Sequence, residues 1–261
     1  MEILLPKSQI SHQTPKIIYI DCGLRHFCMI TQESELLVCG NNKEGQLGIG
    51  TNNDSSRPVY NNLIDDPISQ VSCGVSHTLV LTKSNKLFGF GANDQGQLGV
   101  GSRVGASRPV QIYDFDRSKQ ISGIAAGSYS GFVDEIGRLF LWGFGDEEFQ
   151  IPQFQEFVTR IANLYLNKEN CCVIDEFGNV LTLEDRKYAE DKNEFQNCFA
   201  LTLDNKNAVK VACGNNFFLC VPDKHFACSE SSSMKNNQAE TLPSNNLQNI
   251  RDEIYQRGEP D

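Results

Sequence analysis

The chain has 261 residues, 39% of them hydrophobic, with 23 Lys and Arg against 33 Asp and Glu, a net charge of −10 and a pI near 4.9. This length and apolar content suit one large β domain. The acidic balance disfavours direct DNA binding, which calls for a basic patch or arm, and Lys7 is the single fixed positive charge among the first fifteen residues.

No run approaches the apolar length of a membrane span, and no charged and then apolar leader opens the chain. A cytoplasmic and/or nuclear location follows as an expectation. In such a reducing compartment the ten cysteines are expected as free thiols, and no C-x-x-C occurs. Residues 1–15 read as a loose N-terminal arm.

The first repeated unit opens with Asp21-Cys22-Gly23-Leu24-Arg25-His26, matched 51 residues later by Ser72-Cys73-Gly74-Val75-Ser76-His77. Gly40–Val59 and Gly91–Val110 follow at the same spacing, with eleven of twenty positions identical. A period near 50 residues marks a chain that stacks or circles one small unit. A third copy runs through Ala125-Ala126-Gly127-Ser128-Tyr129-Ser130 to Gly143. A worn copy lies near Leu164, and a late one runs from Val211 to Phe217 around Gly214. The third interval is short: Gly145–Gln150 stands where a Gly-Gln-Leu-Gly block belongs.

Within the second unit, Thr78–Thr82 is a strand-length run of β-favouring residues. Lys83-Ser84-Asn85-Lys86 is a hairpin loop, and Leu87–Gly91 is the returning strand. Asn93–Gly96 is a second turn, with Gly96 suited to positive φ. Gln97–Gly101 is expected as a further short strand and Arg108–Ile112 as an outer one, where Pro109 is tolerable. No segment shows sustained helical periodicity, so helices should be few. Units this small bury both faces only by packing on their neighbours, which is the logic of a β-propeller.

These residues resemble the repeats of the regulator-of-chromosome-condensation family. Cys73-Gly74, His77-Thr78, Phe90-Gly91, Gly96–Gly101 and Pro109 supply every element of its pattern. The resemblance covers residues 16–222, with specific motifs to about 145 and a degenerate outline over 146–222. It implies an all-β propeller of four-stranded blades, normally seven. This chain departs in number, with about four to five blades. It reads as a partial or truncated member, and an open arc is favoured over a small closed ring. Val211–Val221 is a candidate to pair beside Ile17–Ile20 and close the ring. Residues 223–261 read as a disordered polar tail, with a short helix at Leu247–Tyr255.

The chemistry-bearing residues mostly have structural readings. Cys22, Cys73 and Cys213 share a repeat slot that Ala126 also fills, which marks a small buried core position. Adjacent Cys171 and Cys172 in a strand point to opposite faces. His26 and His77 recur at one slot and are expected to bond nearby backbone groups. Gly74–Thr78 lacks the last glycine and the helix of a nucleophile elbow. The Gly-rich blocks lack the helix and Lys of a phosphate loop. Asp146-Glu147-Glu148, Glu184-Asp185 and Glu190-Asp191 read as solvated loop charge.

No catalytic, cofactor-binding or metal-ligating residue is therefore assigned, and no enzyme activity. The expectation is a non-enzymatic protein-interaction scaffold or adaptor. The alternative that the resemblance implies is a guanine-nucleotide exchange factor for a Ran-like small GTPase. That activity needs a broad face and a wedge-like protrusion, and no long inserted hairpin is visible.

Overall fold

The computed structural model describes residues 14–113, 115–155, 157, 159–168, 171–183, 199–203, 208–213 and 218–222. The tail assigned to 223–261 with its helix at Leu247–Tyr255, most of the arm at 1–15, and Phe217 lie outside the described residues.

Each repeat folds into a four-stranded antiparallel meander. The first holds β1 (Ile17–Cys22), β2 (His26–Thr31), β3 (Leu36–Gly40) and β4 (Ser55–Tyr60). The second holds β5 (Ile68–Cys73), β6 (His77–Thr82), β7 (Leu87–Gly91) and β8 (Ala106–Ile112). The third holds β9 (Ile121–Ala126), β10 (Ser130–Asp134), β11 (Leu139–Trp142) and β12 (Gln153–Gln155), with a 3-10 turn at Glu147–Gln150. The worn copy still makes β13 (Ile161–Leu166), β14 (Cys171–Asp175), β15 (Val180–Leu183) and β16 (Phe199–Leu203). A fifth, two-stranded sheet pairs β17 (Ala208–Cys213) with β18 (Phe218–Pro222). This is the four-to-five-blade, all-β arrangement that the repeat spacing implies.

The cores lie between blades. Cys28, Ile30, Leu36, Val38 and Leu47 of the first blade close on Ile68, Val71, Cys73, Val80 and Phe90 of the second. Leu79, Leu81, Leu87 and Ile112 close on Ile121, Phe132, Phe140 and Trp142 of the third. Strand β6 is buried at every position. That is why Thr78–Thr82 shows no polar alternation: neighbouring blades cover both its faces. Each such Leu, Val or Phe contributes roughly 1.5–3 kcal/mol on burial.

The anchor glycines mark where the backbones of successive blades meet. A Cβ on Gly23 would collide with the Gly74 carbonyl, one on Gly74 would lie 2.6 Å from the Gly127 carbonyl, and one on Gly127 would collide with Asn167. The opposite ends of the strands are stitched at equivalent positions. The N–H groups of Ile68, Ile161 and Ala208 donate to the carbonyls of Ser34, Gly137 and Gly178 in the preceding hairpins. In the second blade, Asn85 replaces this bond with its side chain. Its Oδ1 accepts from Ile121 N, and its Nδ2 donates to Lys119 O.

The turn at 83–86, the positive φ of Gly96 (82°) and the edge position of Pro109 in β8 match the expectations from sequence. Three expectations need correction. Gln97–Gly101 is a turn and not a strand, because Leu98 is pinned inward beneath an asparagine hub described below. Cys22 is exposed although Cys73 and Ala126 are buried, because no blade among the described residues covers β1. Finally, β17 pairs with β18 and β1 with β2. No pairing between Val211–Val221 and Ile17–Ile20 occurs among the described residues, and Ile18 and Ile20 remain 60% and 55% exposed.

Gly91 ends β7 with φ of 112°, and a Cβ there would sit 2.5 Å from the Ser76 carbonyl. Gly91→Val should therefore lower stability by about 3 kcal/mol or more, beyond the loss in His77→Ala. Thermal unfolding of the two variants checks the order, and a Gly91→Val midpoint equal to that of the parent would refute the close approach.

Candidate interaction face

The polar residues of the repeat serve three internal devices, and these decide what is left for the surface. The first is a latch across each blade boundary. His26, at the start of β2, places Nε2 2.9 Å from Thr78 Oγ1 on β6. Thr78 gives its single hydroxyl hydrogen to the Gln46 carbonyl at 2.8 Å, so the imidazole carries its proton on Nε2 and donates it. The next boundary repeats the device. His77 Nε2 meets Ser130 Oγ at 2.8 Å, and Ser130 donates to the Gln97 carbonyl at 2.7 Å, which Trp142 Nε1 also reaches at 2.9 Å. Both histidines are structural, as the sequence implies, but their partners are hydroxyls of the following blade and not nearby backbone. Burial pulls His26 down to about 4. For His77, burial and then the charge of His26 bring it to about 3.

The second device is the asparagine hub of the Gly-rich block. Asn42 Oδ1 accepts from Leu47 N while its Nδ2 donates to the carbonyls of Thr51 and Asn53. Asn93 does the same for Leu98 N and the carbonyls of Ser102 and Val104. These groups are turned inward and hold Leu47 and Leu98 in the core, so the loop is no anion cradle. In the third blade the 3-10 turn replaces the hub and buries Phe149, leaving Glu147 and Glu148 in solvent. The other two acidic clusters lie outside the described residues.

The third device caps the hairpin after each second strand. Thr31, Thr82, Asp134 and Asp175 occupy one slot, and their side-chain oxygens accept the N–H four residues on, at Glu35, Lys86, Arg138 and Asn179. The buried carboxylates of Asp134 and Asp175 are thereby committed to turns. Asp134 also binds Arg138 Nε at 2.6 Å. Sequence reasoning missed the Thr and Ser half of the latch and these caps, although their recurrence at one slot is a legible signal.

These hairpins and the blade-to-blade connectors share one end of the strands. Here the apolar surface of the described residues is uneven. The tip position is Glu33 in the first blade and Ser84 in the second, but Ile136 and Phe177 in the third and fourth, 41% and 59% exposed. Leu63 and Tyr113 of the connectors are exposed at the same end. A cleft of about 460 Å³ lies beside them, lined by Leu63, Ile64, Asp66, Ser84, Lys86 and Phe88. Lys86 pairs with Asp66 at 3.2 Å, and the Ser84 hydroxyl bonds the same carboxylate. That engagement holds the Asp66 carboxyl below its usual range, Ser84 contributing most. An already paired carboxylate is a poor acid or base for a bound substrate.

The Regulator of chromosome condensation (RCC1) repeat pattern matches residues 33–81 and 84–133, and a second form of it matches 17–46 and 68–97. Residues 17–133 are RCC1-type repeats on a β-propeller fold. The chain is 34% identical over 131 residues to the X-linked retinitis pigmentosa GTPase regulator of Canis lupus familiaris, a stretch that is 49% of this chain and 13% of that protein. Human WBSCR16 superposes with a TM-score of 0.67 at 20% identity, over 80% of this chain and 60% of its own. Prp20p from Saccharomyces cerevisiae, described with its binding to Gsp1p and histones, gives 0.58 at 20% identity over 66% of this chain and 46% of its own. The latch and hub account for His77, Thr78 and the Gly-rich block of the repeat, while the apolar tips Ile136 and Phe177 lie outside the matched stretches. No helix among the described residues is long and apolar enough to cross a membrane.

Both latch histidines are neutral in the folded state and take up a proton near pH 6.5 when unfolded. The unfolded chain then binds more protons below that pH, so stability should fall as pH drops from about 6.5 toward 4. The slope is roughly 1.4 kcal/mol per pH unit for each histidine. Denaturant titrations of the parent and His77→Ala check this, since the variant should show the shallower decline.

Proposed function

We propose that the chain is a non-catalytic protein-interaction module, and that the hairpin end of its RCC1-type blades is the docking face. One observation carries this. At the same hairpin-tip slot, Ile136 and Phe177 are exposed in two blades where the other two carry Glu33 and Ser84. An apolar tip adds nothing to the internal devices and is the kind of side chain that anchors a partner. The acidic balance suits a partner with basic rim groups. The free cysteines Cys22, Cys28, Cys39 and Cys73 suit a reducing compartment, the cytoplasm or nucleus.

Similarity to a GTPase regulator favours a second reading, guanine-nucleotide exchange on a Ran-like small GTPase. The matched stretch is 13% of that relative, and the shortened third repeat supplies no protruding wedge. Interaction without exchange is therefore the preferred reading.

Two measurements separate these readings. Release of a fluorescent GDP analogue from a Ran-type GTPase should proceed at its spontaneous rate with the chain present; a clear acceleration would establish exchange instead. Quantitative pull-down with Ile136→Glu/Phe177→Glu should lose a partner by about tenfold against the parent, with an unchanged unfolding midpoint. An identical partner profile would rule out this face.

A further inference from the structure

The boundary between the first two blades contains a cluster that the next boundary lacks. A ring nitrogen of His26 and the sulfurs of Cys28 and Cys73 all lie within 4.8 Å of one another, and all three residues are buried. The three come from β2 and β5 and are separated by up to 47 residues, so no ligand spacing in the chain announces them. At the boundary between the second and third blades, the same slots hold His77, Leu79 and Ala126. The fold therefore packs well with Leu and Ala there, and two thiols are not an architectural requirement.

The latch adds a second observation. Because Thr78 compels His26 to carry its proton on Nε2, the Nδ1 lone pair is free. It is the one buried side-chain nitrogen or oxygen without a hydrogen-bond partner among the described residues. An orphaned buried acceptor is unfavourable. A hydrogen bond on one ring nitrogen is the arrangement that orients an imidazole and activates its other nitrogen as a metal ligand. Asp21 supports the same site by accepting the Cys73 N–H at 2.7 Å, which fixes the backbone under that ligand.

We propose that His26, Cys28 and Cys73 form a structural site for a thiophilic closed-shell cation, Zn²⁺, that ties the first blade to the second. The donor set is one neutral imidazole and two sulfurs, which is zinc-type chemistry. Zn²⁺ displaces one proton from each thiol, releasing two H⁺, and the resulting unit of metal, two thiolates and imidazole is neutral. A neutral unit is what a buried boundary tolerates. Burial raises Cys73 well above the usual thiol range, helped by the Cys28 thiol beside it. Metal retention should accordingly weaken on acidification.

The test uses the full chain expressed with added zinc, purified under reducing conditions and freed of any affinity tag. Metal is counted by mass spectrometry, and unfolding midpoints are taken with and without a chelator. About one zinc per chain is expected, with a midpoint that falls when the chelator is added. Cys28→Leu/Cys73→Ala carries the residues of the next boundary and should fold, retain about tenfold less zinc and ignore the chelator. His26→Ala, which removes the imidazole, should weaken retention as well. A parent that holds no zinc after exposure to it, or a Leu/Ala double variant that holds as much as the parent, would overturn the assignment.

Discussion

Everything in this molecule depends on the burial of one blade against the next. A four-stranded meander of about 50 residues has two apolar faces and no second layer of its own. The cores therefore sit at the boundaries, with Val38 and Leu47 against Val71 and Phe90, and then Leu79 and Leu87 against Phe132 and Trp142. The nonspecific attraction between such faces does not set their register. The latches do, because His26–Thr78–Gln46 and His77–Ser130–Gln97 each join three points of two blades in one buried chain of donors and acceptors. A sliding boundary would strand all of these groups at once.

The same constraint explains how the fourth blade survives the loss of its motif. Residues 161–183 carry no anchor glycine and no Gly-Gln-Leu-Gly block, yet β13–β15 form in order. They retain what the boundary needs, which is apolar residues at the facing slots. Ile161, Leu164, Cys171 and Val173 complete the core begun by Val133, Leu139 and Leu141. On the other side of β14, Cys172 and Ile174 meet Ala208. Adjacent cysteines thus serve two different cores, as strand geometry requires.

Internal repetition also acts as a control experiment inside the molecule. Where all copies agree, as at the hairpin-cap slot of Thr31, Thr82, Asp134 and Asp175, the residue serves the fold. Where one copy departs without structural need, something else is at work. Ile136 and Phe177 at hairpin tips depart in that sense, as do the thiols of Cys28 and Cys73 beside His26. RCC1-type blades give the frame, and these departures are what distinguish this chain within it.

The spacing of Gly23, Gly74 and Gly127 by itself determined the repeating unit, the meander and the hairpin turns, because local propensity and a fixed period act over short stretches of chain. The asparagine and glycine turn chemistry was equally legible, since Asn93 and Gly96 work within ten residues of themselves. Only the tertiary structure decided the rest. That Cys22 is exposed while Cys73 is buried depends on which blade has a neighbour, which no local pattern encodes. That His26 bonds Thr78, and that it lies beside two thiols, depends on strands 47 to 52 residues apart being pressed together. Contacts of that range arise from packing, and the sequence records them only after the boundary is known.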